Sequence, residues 1–133
     1  ESASKDHGKT WSALARSSIQ HPTSRFFIRR LQSGRILLVK NGPITERTGR
    51  SHLTAFLSED DGLTWSDGLL LDERSDIAYP DGQQGPNGII YIVYDHSRTG
   101  EREIRMVSFA ENDVIAGGPE APGVSSVVVS EHR

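Results

Sequence analysis

The sequence contains no cysteine, and this absence excludes a disulfide framework and any cysteine-ligated metal site. Long hydrophobic runs are also missing. Hydrophobic residues make up 35% of the chain and the mean hydropathy is −0.48, so we predict no membrane-spanning segment and no membrane partner. The net charge of −3 provides no basic excess, and we therefore expect no nucleic-acid partner.

An eight-residue pattern, S-x-D-x-G-x-T-W, occurs twice, with its copies 54 positions apart. The side chains of Ser and Asp accept hydrogen bonds from backbone N–H groups in tight turns, and Gly adopts positive φ without steric cost. Trp covers the hydrophobic layer beside such a turn. Each copy is therefore predicted to be a structural hairpin turn between two strands. The residues expected to build the turns are Ser4, Asp6, Gly8 and Trp11 in the first copy and Ser58, Asp60, Gly62 and Trp65 in the second.

The same 54-residue shift superimposes Gly34–Asn41 on Gly88–Asp95. Each segment is a turn glycine followed by an apolar run with β-branched residues. A repeat of this length is typical of propellers and solenoids. We predict four-stranded units from it. The first unit comprises strands at Arg25–Arg30, Arg35–Asn41, His52–Ser58 and Gly68–Asp72. The second comprises Ala78–Gln84, Ile89–Asp95, Glu103–Phe109 and a tail strand at Ser125–Ser130, with one helical turn near Ala110–Ile115. Glu1–Ser4 and Ala13–Ser18 are expected to be the last two strands of a preceding unit.

The expected fold class is all-β, with about two and a half four-stranded antiparallel propeller blades. The predicted divisions are 1–22, the end of one blade; 23–73, a complete blade; and 74–133, the last blade with a C-terminal tail. Propellers commonly close a ring of four to eight blades. Two interpretations stay open: the chain is part of a longer protein that supplies the N-terminal blades, or several copies assemble a ring as a homo-oligomer.

The two turns resemble the Asp-box, or BNR repeat, of sialidases and related β-propellers. The resemblance covers essentially the whole chain, as the C-terminal portion of a six-bladed propeller. It implies a glycoside hydrolase acting on terminal sialic or other acidic sugars, and a secreted or periplasmic location. It also implies that both boxes are structural and remote from the active site.

The resemblance also implies candidate site residues. Arg50, just before the second box, matches an arginine that binds the substrate carboxylate, and Tyr79, 29 residues later, matches the nucleophile. Asp95 is implied to orient another arginine. Arg25 occupies the position of Tyr79 one blade earlier and is expected to face the same central funnel. A guanidinium suits a carboxylate because it forms two parallel hydrogen bonds. Each residue also has a structural alternative: a solvated arginine, a packed tyrosine, a strand cap and a surface ion pair.

Some features of the family are missing. The first arginine, in an F-R-I-P-like segment, has no counterpart, and Phe27–Arg30 resembles that segment only superficially and stands at the wrong place in the order of the family's motifs. The second arginine, the glutamate that activates the tyrosine and the acid/base aspartate are expected upstream of Glu1. Tyr79 is followed by Pro80, where sialidases usually have serine. We therefore predict that the isolated chain has no glycosidase activity.

A non-catalytic propeller that binds acidic glycans, or that acts only as a scaffold, is the alternative function. We expect no cofactor. Calcium is not expected at the boxes, because each offers two or three side-chain oxygens and Ca²⁺ takes six to eight. His52, His96 and Arg98 are interpreted as loop residues, since their spacing matches no metal site.

Overall fold

The computed structural model describes residues 1–117 and 123–131. Its first sheet contains four antiparallel strands in the order β1-β2-β3-β4. They are β1 (Phe27–Arg30), β2 (Ile36–Asn41), β3 (Leu53–Ser58) and β4 (Leu69–Asp72). The second box connects β3 to β4, as expected for a hairpin turn.

The second sheet repeats this arrangement in the order β5-β6-β7-β8. Its strands are β5 (Ile77–Gln84), β6 (Ile90–His96), β7 (Glu103–Phe109) and β8 (Ser125–Ser130), with the short helix α1 (Glu111–Ala116) between β7 and β8. The all-β fold with four-stranded, blade-like sheets is confirmed. The parts of the predicted last blade at 118–122 and 132–133 lie outside the described residues. None of the helices in the described ranges is long and apolar enough to cross a membrane.

One hydrophobic cluster joins the two sheets and explains why they pack together. Alternate residues of β2, such as Leu37 and Val39, and of β6, such as Ile90 and Ile92, are fully buried in it. In β6 the residues between these are less buried, which is the period-2 pattern of a strand with one face toward a core, whereas β2 is buried on both faces. Val114 of α1 belongs to the same cluster, so the helix closes one end of it.

A polar contact also links the sheets at the opposite end from α1. The hydroxyl of Tyr94 in β6 donates a hydrogen bond of 2.9 Å to Asp72 at the end of β4. Burial, together with the Asp72 carboxylate, raises the pKa of Tyr94 to about 12. Arg74 forms an ion pair with Asp72 at 2.5 Å and compensates the charge of the carboxylate.

The N-terminal segment differs from the expectation. Glu1–Ser4 and Ala13–Ser18 lie side by side, joined by hydrogen bonds from Ser12 N to the Ala3 carbonyl and from Ala15 N to the Glu1 carbonyl, both 2.9 Å. Neither segment is a regular strand, so that prediction was wrong. Most of these residues are exposed, and no described strand pairs with them to extend the ladder.

Candidate functional site

Tyr79 projects from an irregular point in β5. The pairing of β5 with β6 shifts register between Ala78 and Asp81, which is the mark of a β-bulge. Tyr79 lies within this bulge at φ 56°, a left-handed conformation that non-glycine residues rarely adopt. Its neighbours Ala78 and Pro80 are buried, whereas Tyr79 is 42% exposed. The bulge therefore turns a large aromatic side chain outward, and such strain often marks functional sites.

Arg50 is brought to Tyr79 by the segment before β3. The centre of its guanidinium lies 5.7 Å from the centre of the Tyr79 ring, within cation–π range. Its Nη2 donates to the Thr23 carbonyl at 2.9 Å. The Arg50 carbonyl accepts a 3.0 Å hydrogen bond from the Ile77 N–H, two residues before Tyr79. Two residues paired by family resemblance in the sequence are thus neighbours in the fold.

Asn41 fastens these two segments to each other. Its side-chain amide is buried and donates to the carbonyls of Ser51 and Ile77, both at 3.3 Å. Ser51 follows Arg50, and Ile77 begins β5, which carries Tyr79. One amide group therefore holds the segment of Arg50 next to the segment of Tyr79. Sequence reasoning missed Asn41, because a polar residue at a strand end gives no signal of what it will contact.

Lys40 is buried beside Asn41. Its ammonium group donates to three backbone carbonyls, those of Asn41 at 2.7 Å, Gly42 at 2.9 Å and Pro43 at 2.5 Å. Burial lowers the pKa of Lys40 to about 8. These bonds hold the loop that follows β2, on which the position of Asn41 depends.

Arg98 is a second cation at Tyr79, although its position in the sequence indicated only a loop residue. The centre of its guanidinium is 3.9 Å from the centre of the Tyr79 ring. Its Nε donates to Asp95, and this hydrogen bond raises the pKa of Arg98. The sequence signal was the proximity of Arg98 to Asp95 across a tight turn. Asp95 thus contacts an arginine, and its predicted role in orienting an arginine for substrate binding stays a prediction.

Arg25 lies elsewhere. Its guanidinium forms an ion pair with Asp81 at 3.4 Å, with both side chains more than half exposed. The structure therefore places Arg25 at the surface beside β5 and gives it the contact of the structural alternative. His96 bonds Glu103 at 3.1 Å, and His52 contacts Ser51 at 3.0 Å. Within residues 1–117 and 123–131, no group of three metal-ligating side chains occurs.

The two boxes have almost the same geometry. In the second, the Ser58 hydroxyl accepts from the Gly62 N–H at 2.8 Å and donates to Asp60 at 2.8 Å. The Asp60 carboxylate accepts from the N–H and the hydroxyl of Thr64, at 2.8 and 2.5 Å. The corresponding distances in the first box differ by no more than 0.1 Å. The glycines have φ 85° and 89°, as such a turn requires.

These bonds stabilise the ionised carboxylates, and the threonine hydroxyl is the first cause of the shift. The pKa of Asp6 and the pKa of Asp60 are both lowered to about 2. The tryptophans differ. Trp11 is 64% exposed and donates to the Gly8 carbonyl at 3.2 Å, so it does not cover a hydrophobic layer as expected. Trp65 is partly buried, and its indole N–H has no partner among the described residues.

Comparison with known proteins identifies the repeat. Residues 1–92 match the family model of the BNR repeat-like domain. The chain belongs to the BNR repeat-like family. This repeat is found in sialidase-like propellers, which agrees with the blade-like sheets and the two boxes. Arg50 and Tyr79 lie within the BNR match, whereas Asp95 and Arg98 follow it. No curated protein and no solved structure matches the chain.

The BNR fold thus gathers two guanidinium groups around one exposed phenol at the end of the sheets opposite the second box. Both cations contact the tyrosine ring, and only Arg98 has a carboxylate partner among the described contacts. Arg50 is bonded to a neutral carbonyl and keeps its charge uncompensated. Such an arrangement attracts a planar anion and can hold it against the aromatic face.

Proposed function

We propose that Arg50, Tyr79 and Arg98 form part of a site for the carboxylate of a terminal sialic or other acidic sugar. The supporting observation is that two guanidinium groups flank one exposed tyrosine, at 5.7 and 3.9 Å from its ring. Arg50 binds the carboxylate through two parallel hydrogen bonds, which a lysine does not reproduce. Asp95 keeps Arg98 in place beside it.

In this proposal the chain is the C-terminal part of a sialidase-like glycoside hydrolase, and Tyr79 is its nucleophile. Sialidases depart from the two-carboxylate plan of most glycosidases by using a tyrosine. A phenol ionises near pH 10, so attack requires a neighbouring base. Among the described residues no carboxylate is hydrogen bonded to the Tyr79 hydroxyl, and Asp95 is engaged by Arg98. We therefore expect the isolated chain to bind the sugar without hydrolysing it.

The same observation favours the alternative function, a propeller that binds acidic glycans without catalysis. The two functions share the carboxylate contact and differ only in what Tyr79 does. A Tyr79→Phe variant separates them, because it keeps the ring beneath both guanidinium groups and removes the reacting oxygen. In a catalytic protein it abolishes turnover by the full-length form, whereas in a binding protein no turnover exists to lose.

The direct test is titration of the chain with N-acetylneuraminic acid, with the methyl ester of that sugar as the uncharged comparison. We expect Arg50→Ala to weaken binding of the acid by about 10- to 100-fold, the loss of a charged hydrogen-bond pair, and to leave the ester unaffected. Arg29→Ala is the matched control, because Arg29 is an exposed arginine of β1 and is not one of the cations at the Tyr79 ring. Equal affinity for acid and ester, or equal effects of the two variants, would remove Arg50 from the site.

A further inference from the structure

A cleft of about 400 Å³ lies beside the second box, between the turn and the end of α1. It is at the far end of β3 from Arg50, about 20 Å away along a six-residue strand. Its volume is within the range of small-molecule sites. The residues that matter for its chemistry are Trp65, Ile115, Arg35, Glu59, Ser66 and Asp67.

The cleft combines an aromatic surface with free hydrogen-bond acceptors. Trp65 is partly buried on one side, and Ile115 of α1, 54% exposed, adds a second apolar contact. Asp67 is exposed and has no hydrogen bond or ion pair to any described residue. An unpaired carboxylate beside an indole ring is the arrangement that accepts hydroxyl groups while the ring packs against C–H groups.

Arg35 and Glu59 form the polar wall, and their geometry is held in advance. The Arg35 guanidinium contacts Glu59 Oε1 through Nε at 2.8 Å and Nη2 at 2.7 Å, and its Nη1 contacts Glu111 at 3.3 Å. Both Glu59 contacts use the same oxygen, so Oε2 stays available as an acceptor. The Ser66 hydroxyl accepts from the Leu57 N–H at 3.0 Å and keeps its own proton to donate.

The charges select the class of ligand. Glu59, Asp67 and Glu111 surround a single cation, Arg35, so an anion is disfavoured here, in contrast to the Arg50 site. Arg35 itself opposes a second cation. A neutral polyol has no charge to repel, and its hydroxyl groups can donate to both carboxylates. Its ring C–H groups can pack on Trp65 and Ile115.

We propose that this cleft is a binding site for a neutral hexopyranose, formed by the second box in addition to its role as a turn. The first box provides the contrast within the same chain. Trp11 occupies the same position of an equivalent turn, is 64% exposed and donates to Gly8, and the described cleft contains none of its residues. The two boxes therefore share the same turn geometry, and it is the second that lines this cleft.

The two tryptophans make the test internally controlled, because the chain contains only these two. The ¹⁵N-labelled chain is titrated with methyl β-D-glucopyranoside while the two indole N–H signals, assigned with Trp11→Phe, are followed. We expect the Trp65 signal to shift in a saturable way and the Trp11 signal to stay in place. Asp67→Ala, which removes an exposed and unpaired side chain, is expected to weaken binding at least about fivefold.

Three results would overturn the proposal. They are the absence of a saturable Trp65 shift, equal shifts of both indole signals, and an Asp67→Ala variant that binds as the parent does. Titration with tetramethylammonium tests the ligand class, since a Trp65 shift with this cation and none with the sugar would show a cation site instead. The Arg50→Ala variant is titrated separately with N-acetylneuraminic acid and with the glucoside, to tell the two sites apart. It should lose affinity for the acid and still bind the glucoside in the cleft.

Discussion

Lys40 makes the stability of this chain depend on pH in an unusual direction. Its ammonium group is fully buried and bonded only to neutral carbonyls, and burial lowers its pKa from 10.5 to about 8. In the unfolded chain the lysine holds its proton up to about pH 10.5. Between pH 8 and 10.5 the unfolded state therefore binds more protons than the folded state, and the free energy of unfolding rises with pH.

The magnitude follows from the two pKa values. Linkage at about 1.4 kcal/mol per pKa unit gives a rise of about 2–3 kcal/mol in the free energy of unfolding between pH 7 and pH 10. Above pH 10 the raised pKa of Tyr94, about 12, acts in the opposite direction, because the unfolded tyrosine ionises first. The pH range in which the effect of Lys40 can be measured by itself therefore ends near pH 10.

Urea unfolding followed by tryptophan fluorescence, at intervals from pH 7 to pH 10, measures this rise. The chain has three lysines, Lys5, Lys9 and Lys40, so the assignment is direct. Lys40→Met should remove the rise, whereas Lys9→Met, at an exposed position, should preserve it. Stability that is flat or falls between pH 8 and pH 10, or a rise that persists in Lys40→Met, would refute the reasoning. The comparison uses the slope of the free energy of unfolding against pH. The absolute stability is not compared, because the methionine also leaves three carbonyls without a hydrogen-bond donor.

Four further predictions concern the site, the turns and the sheet pairing. Asn41→Ala should destabilise the chain by about 1–3 kcal/mol and weaken binding of N-acetylneuraminic acid, because it frees Ser51 from Ile77; unchanged affinity would contradict its positioning role. The stabilisation from the ionised Asp60 carboxylate should be present above pH 3.8 and lost as the pH falls to about 2. Asp60→Asn should therefore unfold at a higher pH than the parent in acid titrations followed by circular dichroism. Equal midpoints would mean that the hydrogen bonds of Asp60 do not stabilise the fold. Gly82→Ala should disrupt the β5–β6 pairing, since the added Cβ would lie 2.1 Å from a backbone oxygen, and a stability unchanged in urea would be inconsistent with this packing. The pure chain should not hydrolyse a fluorogenic sialoside, and sustained turnover would contradict the missing base.

The strands were predictable because their pattern is local. A turn glycine followed by an apolar run rich in β-branched residues predicted β2 and β6 to within one residue at each end, and the tail strand Ser125–Ser130 was placed correctly. The N-terminal strands were not, since Glu1–Ser4 has a turn beside it but no described strand to complete a sheet. A hairpin of two short segments is too weak by itself to form a regular ladder.

The residues of the candidate site also fall into those that the sequence indicated and those that it did not. Arg50 and Tyr79 were singled out because a family pattern marked their positions along the chain; the structure brings them together, and their roles stay predictions. Asn41 and Arg98 were missed, because their importance lies in contacts between segments 36 and 19 residues apart in sequence. The expectation that Trp11 covers a hydrophobic layer was wrong because the sequence shows the turn but not the surface against which its aromatic ring would lie.

The amino-acid sequence by itself determined the repeat, the two Asp-box turns and the four-stranded sheets, since hydrogen bonds within eight residues and apolar runs that follow a turn glycine act locally. Only the tertiary structure decided that two guanidinium groups meet at Tyr79, that Arg25 faces Asp81, and that the second box borders a cleft. These contacts depend on how a β-bulge and two loops orient side chains from segments that are distant in sequence. A local pattern does not contain that information, because direction in space is fixed by packing.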